Sequence, residues 1–280
     1  MTDRRNSGTS TEPRLVVCYD IKDGRVVKGT SFVDLLDQGD PADLVAGPGA
    51  EGADELALLD IVGAPEGRPK FLQIVERAAA ASPVPIAVGG GIRSLDDVAQ
   101  VLAAGAAKVG INSAVVADPD LLSAAAERFG SERIVVAIDA KRVQPGPGAP
   151  AEPGPIAGVS SGFEVYVGGG LKPTGRDAVA WAQECERRGA GEILLTSVDR
   201  DGQRSGFDLE LTEAVASAVG IPVTASGGAG GTRDFVELFT GTGAAAGLAA
   251  GIIHDGSVTV QQIRTALRDA GFGFPKERSA

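Results

Sequence analysis

The chain predicts an α/β fold, a (β/α)8 TIM-type barrel with a two-fold half-barrel internal repeat. Three observations carry this: eight short apolar runs, helical patterns between them, and self-similarity at about half the chain length. The runs are LVVCYD (15–20), ELALLD (55–60), VPIAVGG (84–90), AKVGI (107–111), RIVVAID (133–139), EILLTSVD (192–199), IPVTASGG (221–228) and AAAGLAA (244–250). Continuously apolar strands separated by helices indicate a parallel sheet covered on both faces, and eight such units suit a closed barrel. Helical patterns fall near 69–81, 94–104, 118–129, 175–188, 208–219, 232–240 and 257–270. Ser94 with Asp97 and the pair Asp118–Pro119 supply start signals. The segment 41–51 holds Pro48 and Gly49, which should kink or shorten any helix there.

The repeat pairs Asp20 with Asp139, 119 residues apart, but Gly90 with Gly228 and Gly105 with Gly243 at 138, and Glu55 with Glu192 at 137. The second half therefore carries roughly twenty extra residues just after Asp139, where the chain is Pro- and Gly-rich. The expected organisation is a disordered tail over 1–13, one barrel over 14–272 with a Pro/Gly-rich insertion at about 144–162, and a C-terminal tail over 273–280.

At 280 residues with 43% apolar content and 4% aromatics, the chain suits a core of branched aliphatics and alanine. The net charge of −11 provides no basic footprint for nucleic acid, so an anionic substrate must be met by local donors. Two scattered cysteines and the single His254 leave no metal-ligand spacing and no Ser-His-Asp relay, so no metal or organic cofactor is expected and acid–base chemistry falls to carboxylates. No apolar run of spanning length and no apolar core in residues 1–13 suggest a cytoplasmic protein without membrane contact.

Active sites of such barrels lie at the C-terminal strand ends. Asp20 and Asp139 end the first and fifth strands, facing one another across the mouth, where two carboxylates can serve as general acid and base. Gly89–Gly91 after strand three and Gly227–Gly228 after strand seven form two anion cradles, each beside the neighbouring strand end: Gly110–Ser113 and Ala249–Gly251. Together they imply a ligand with a phosphate at each end. The segment IKDGRVVKGTSF after Asp20, with Lys22, Arg25 and Lys28, is expected to be a flexible loop that closes over the ligand. Thr196–Gly202 is dense in hydroxyls and carboxylates suited to sugar oxygens.

The segments CYDIKDGRVVKGT, DELALLDI, VGGGIRS, KVGINSAV, VVAIDAKRV, GAGEILLTSVDRDGQRSGFD and ASGGAG closely resemble the cyclase-subunit family of imidazole glycerol phosphate synthase, from about Arg14 to 270. The resemblance implies a lyase in histidine biosynthesis. Ammonia attacks the ribulosyl end of a bisphosphorylated aminoimidazole carboxamide nucleotide, and ring closure with cleavage gives imidazole glycerol phosphate and the carboxamide ribotide. It implies Asp20 and Asp139 as the catalytic pair, with Lys28, Asn112, Thr196 and Asp201 as substrate contacts. Phosphates are expected at Gly90, Gly91, Asn112 and Ser113 on one side and at Gly202, Gly228, Ala250 and Gly251 on the other. It further implies a glutaminase partner at the N-terminal face, delivering ammonia through a gate of Arg14, Glu55, Lys108 and Glu192. Departures from the family pattern are Ala107 beside the gate lysine, Ala46–Pro48 in the first helix and the Pro/Gly-rich insertion. The rivals are the sister isomerase, which opens the ribosyl ring of the preceding intermediate, and a barrel that binds the bisphosphate without reacting it.

Overall fold

A computed structural model describes residues 12–30, 33–47, 51–63, 67–143 and 158–273, and of residues 28–30 and 33–36 the backbone only. In chain order the strands are β1 (Arg14–Lys22), β2 (Arg25–Thr30), β3 (Val33–Gly39), β4 (Glu55–Asp60), β5 (Ile86–Gly89), β6 (Lys108–Ile111), β7 (Ile134–Arg142), β8 (Phe163–Val167), β9 (Lys172–Asp177), β10 (Glu192–Ser197), β11 (Val223–Ser226) and β12 (Ala246–Ala249). The helices are α1 (Pro41–Val45), α2 (Arg68–Ala81), α3 (Leu95–Ala103), α4 (Ser113–Ala117), α5 (Asp120–Phe129), α6 (Ala178–Arg187), α7 (Leu209–Ala216), α8 (Thr232–Gly241), α9 (Gly251–His254) and α10 (Val260–Asp269). Eight strands pair in parallel in the order β1, β4, β5, β6, β7, β10, β11, β12, and β12 returns to β1, which closes the barrel.

Side-chain alternation along each strand decides what reaches the barrel interior. On β1, Leu15, Val17, Tyr19 and Ile21 join the large cluster that packs the helices, while Val16 and Cys18 form an inner cluster with Ala57, Ala246 and Leu248. Arg14 and Asp20 share the parity of that inner face. The same rule turns Glu55 and Leu59, Lys108 and Asn112, Asp139, and Glu192 and Thr196 inward, because their neighbours Leu56, Val109, Ile138 and Ile193 lie in the outer cluster. The helices answer with apolar stripes: α2 buries Phe71, Ile74, Val75 and Ala78 at helical spacing. Ser94 caps α3 by accepting from the Asp97 amide, and Asp97 accepts from the Arg93 amide. Helix α1 is only five residues long and is capped at Asp40, with Pro48 and Gly49 outside the described residues.

Four strands depart from the sequence expectation. The segment after Asp20, expected as a flexible loop, is an antiparallel hairpin: β2 pairs with β1 (Asp20 opposite Val27) and β3 pairs with β2. Its turn is Asp23–Gly24, both with positive φ (51° and 87°), the geometry of a two-residue hairpin turn. Lys70 Nζ of α2 donates to the Asp23 carbonyl at 2.7 Å and pins the base of the hairpin. The second half repeats the plan: β8 pairs antiparallel to β7, with Asp139 opposite Tyr166, and β9 pairs with β8. In this half the connection from β7 to β8 runs through 143–162 instead of two residues, which accounts for the jump in repeat spacing. Residues 175–177, expected as the start of a helix, end β9, because Asp177 accepts from the Val179 and Ala180 amides and starts α6 there. Residues 1–11 and 274–280 of the expected tails, and 144–157 of the expected insertion, lie outside the described residues.

Candidate active site

Asp20 ends the inner face of β1, and its carboxyl is pushed up to about 7, first by burial and then by the charge of Asp201. Asp139, in the equivalent place on β7, is pushed up to about 6 by burial. There the amide of Asn112 pulls the other way, donating through Nδ2 to Asp139 Oδ2 at 3.0 Å, and Asp201 adds a raising contribution. Asp201 is itself raised by burial, against the opposing bond from the Gly202 amide. Three inward carboxyls thus share the mouth, with Asp201 felt by the other two. Near neutral pH this set holds protonated and ionised members together, the condition for acid and base work within one cavity. Thr196 stands in register beside Asp139 and Ser226. Cys18, one pleat below Asp20, has its thiol pushed well up by burial and by Asp20 and Asp201, so it is an unreactive packing group.

The two glycine turns occupy equivalent places. Gly90 (φ +94°) presses on the backbone of Asp60, and Gly228 (φ +100°) on that of Gly206, whose amide donates to the Gly228 carbonyl at 2.9 Å. Neither position has room for a side chain, so main-chain groups line both turns. Ser113 Oγ accepts from the Gly168 amide at 3.3 Å, which brings the β8–β9 turn to the edge of the first cradle. Gly91 lies beside Arg68, whose Nη2 donates to the Gly91 carbonyl. Gly202 (φ +72°) follows Asp201, and Ala250–Gly251 opens α9 after β12. Lys28 lies on β2 opposite Leu36, and its side chain is outside the described residues. Sequence reasoning missed Arg68 and Arg204 near the cradles. The available signal was position: Arg68 opens α2 and Arg204 lies between β10 and α7, each ahead of a glycine turn.

At the opposite end, the first residues of β1, β4, β6 and β10 meet around the axis. Arg14 reaches Glu55 at 3.0 Å and Glu192 at 2.8 Å, and Lys108 reaches the same two carboxylates at 2.6 and 2.7 Å. The ring closes with alternating sign, and Thr224 Oγ1 donates to Glu192 at 2.6 Å. Burial works against charge on Glu192, but Arg14, Lys108 and Thr224 hold its carboxyl below the ordinary range. Asp20 is six residues beyond Arg14 on the same strand, so ring and mouth are separated by about 20 Å of strand. Among the described residues no group of His, Cys, Asp or Glu is placed to hold a metal, and no helix is long and apolar enough to cross a membrane.

A closed barrel of two like halves, each giving one strand-end carboxylate at an equivalent place and one glycine turn to the mouth, defines the chain as a (β/α)8-barrel enzyme. It belongs to the histidine biosynthesis protein family, whose family model matches residues 14–259. Three relatives carry the name imidazole glycerol phosphate synthase subunit HisF. That of Myxococcus xanthus is 52% identical over 258 residues, covering 92% of this chain and 96% of the relative. That of Acidobacterium capsulatum is 50% identical over 254 residues (91% and 94%), and that of Metallosphaera sedula 47% over 261 residues (93% and 98%).

Proposed function

We propose that this chain is the cyclase subunit of imidazole glycerol phosphate synthase and works in histidine biosynthesis. The observation that carries the reading is the pairing of Asp20 and Asp139, raised to about 7 and about 6, at equivalent strand ends between two glycine turns. Near-full-length relatives bearing that name support it. The bisphosphorylated substrate spans the mouth, one phosphate at Gly90, Gly91, Asn112 and Ser113 and the other at Gly202, Gly228, Ala250 and Gly251. Thr196, Asp201 and Lys28 contact the part between. Ammonia attacks the ribulosyl carbonyl, one carboxyl gives a proton to the departing oxygen, and the other takes a proton from the incoming nitrogen. The Asn112 amide donates to Asp139 and favours its ionised form, so Asp139 begins as base and Asp20 as acid. Ring closure and cleavage release imidazole glycerol phosphate and the carboxamide ribotide.

The relatives are named as a synthase subunit, and the partner is a glutaminase docked at the N-terminal face. Ammonia then enters through the ring of Arg14, Glu55, Lys108 and Glu192 and travels up an interior lined by Ala57, Cys18, Leu59 and Leu194. Two buried free cysteines suit a reducing cytoplasm. Assay of the purified chain with ammonium salt and each of the two pathway substrates tests the assignment. Turnover of the ribulosyl substrate with ammonium is expected, and turnover of the ribosyl isomerase substrate alone would sink it.

A further inference from the structure

In a chain of net charge −11, main-chain amides and helix N-termini can hold a phosphate by themselves, and a guanidinium beside them adds formal positive charge and charge-assisted hydrogen bonds. Of the two arginines in the connection from β10 to α7, Arg200 folds back on Ser205, with Nη1 at 3.1 Å from its hydroxyl. Arg204 does the opposite. It holds φ at +53°, a left-handed conformation that is strained for a non-glycine residue. That backbone lies against Gly230 of the β11–α8 turn, and Nη2 reaches to 3.7 Å from where a Cβ on Gly251 would stand. One strained residue therefore bridges both walls of the second cradle. Its guanidinium pairs with Asp255, at the end of α9. The first half supplies a counterpart at the start of the corresponding helix, α2: Arg68 donates to the Gly91 carbonyl, and its Nη1 is buried without a hydrogen-bond partner among the described residues.

We propose that Arg204 is a phosphate-binding residue of the second cradle, exchanging Asp255 for a phosphate-monoester dianion when substrate enters. This rests on the substrate reading above and adds a side-chain ligand to it. Asp255 then acts as a stand-in anion that holds the guanidinium in place and sets a threshold: a dianion displaces the carboxylate, and a weaker anion does not.

The test uses Arg204→Gln, Arg204→Lys and Asp255→Asn, because the first and third break the same ion pair while only the first removes the cation. Steady-state kinetics with ammonium salt should show KM raised about tenfold or more in Arg204→Gln, with kcat within about threefold. Arg204→Lys should recover part of that loss, and Asp255→Asn should lower KM or leave it unchanged. Inorganic phosphate, titrated by calorimetry, should bind more weakly to Arg204→Gln than to wild type. An equal rise of KM in Arg204→Gln and Asp255→Asn would mean that the pair is only a loop latch, and would overturn the proposal. So would an unchanged KM in Arg204→Gln. If the wild type turns over no substrate, the cyclase reading fails, and the phosphate titration still decides on Arg204: equal binding by wild type and Arg204→Gln, or none by either, refutes it.

Discussion

Asp139→Asn is expected to lower ammonium-dependent turnover by about 10³-fold or more while substrate affinity changes less than about threefold, and Asp20→Asn should do the same. Each removes one of the two groups proposed to move protons and keeps its size and hydrogen-bonding shape. Substrate affinity is proposed to reside in the glycine turns and their neighbours, so a binding assay should separate the losses. The same substitutions should raise stability. Both carboxyls sit above the ordinary range because burial penalises their charge, so the folded state holds protons that the unfolded chain releases. Stability is then fully present below the ordinary pKa near 3.8, and is lost as pH rises through about 6 and about 7. At pH 8 the asparagine variants should melt roughly 5 °C above wild type, and near pH 4 the gap should close. Full activity in either variant would remove the acid–base pair from the mechanism.

Lys108→Met should produce the second large effect, at the other end of the barrel. It leaves Glu55 and Glu192, 9% and 10% exposed, facing one another with Arg14 as their remaining cation in the ring. Removing one partner from so enclosed a ring typically costs about 3 kcal/mol, which thermal melting should register as a loss of several degrees. The double variant Lys108→Met/Glu192→Gln should recover part of that loss, since the uncompensated charge goes with its partner. If the ring gates ammonia, turnover fed by glutamine in the complex should fall more than turnover fed by ammonium. Equal losses from both nitrogen sources would make the ring a structural clasp alone.

Most of the barrel was legible because its eight strands are short apolar runs and its repeat survives at Asp20 and Asp139, Gly90 and Gly228, and Glu55 and Glu192. Parity of the inner face enters only with the structure, where Leu15 and Val17 pack outward and Arg14 and Asp20 therefore point inward on the same strand. The hairpins were not read. Asp23–Gly24 between Ile21 and Val26–Val27 is a hairpin-turn signal, but the segment is expected from sequence as a flexible loop. Strand β9, KPTGRD, has almost no strand character of its own and exists through its pairing with β8. The bond from Asn112 to Asp139 and the reach of Arg204 to the second cradle depend on side-chain placement across strands and loops that no spacing encodes.

The most direct measurement is a crystal structure of Asp139→Asn with the bisphosphorylated substrate bound. The account predicts one phosphate at Gly91 and Ser113 and the other at Gly228 and Gly251. The ribulosyl carbonyl should then lie within hydrogen-bond reach of both residue 139 and Asp20. A substrate held by one phosphate with its ribulosyl end outside the mouth, or both phosphates on one half of the barrel, would contradict it.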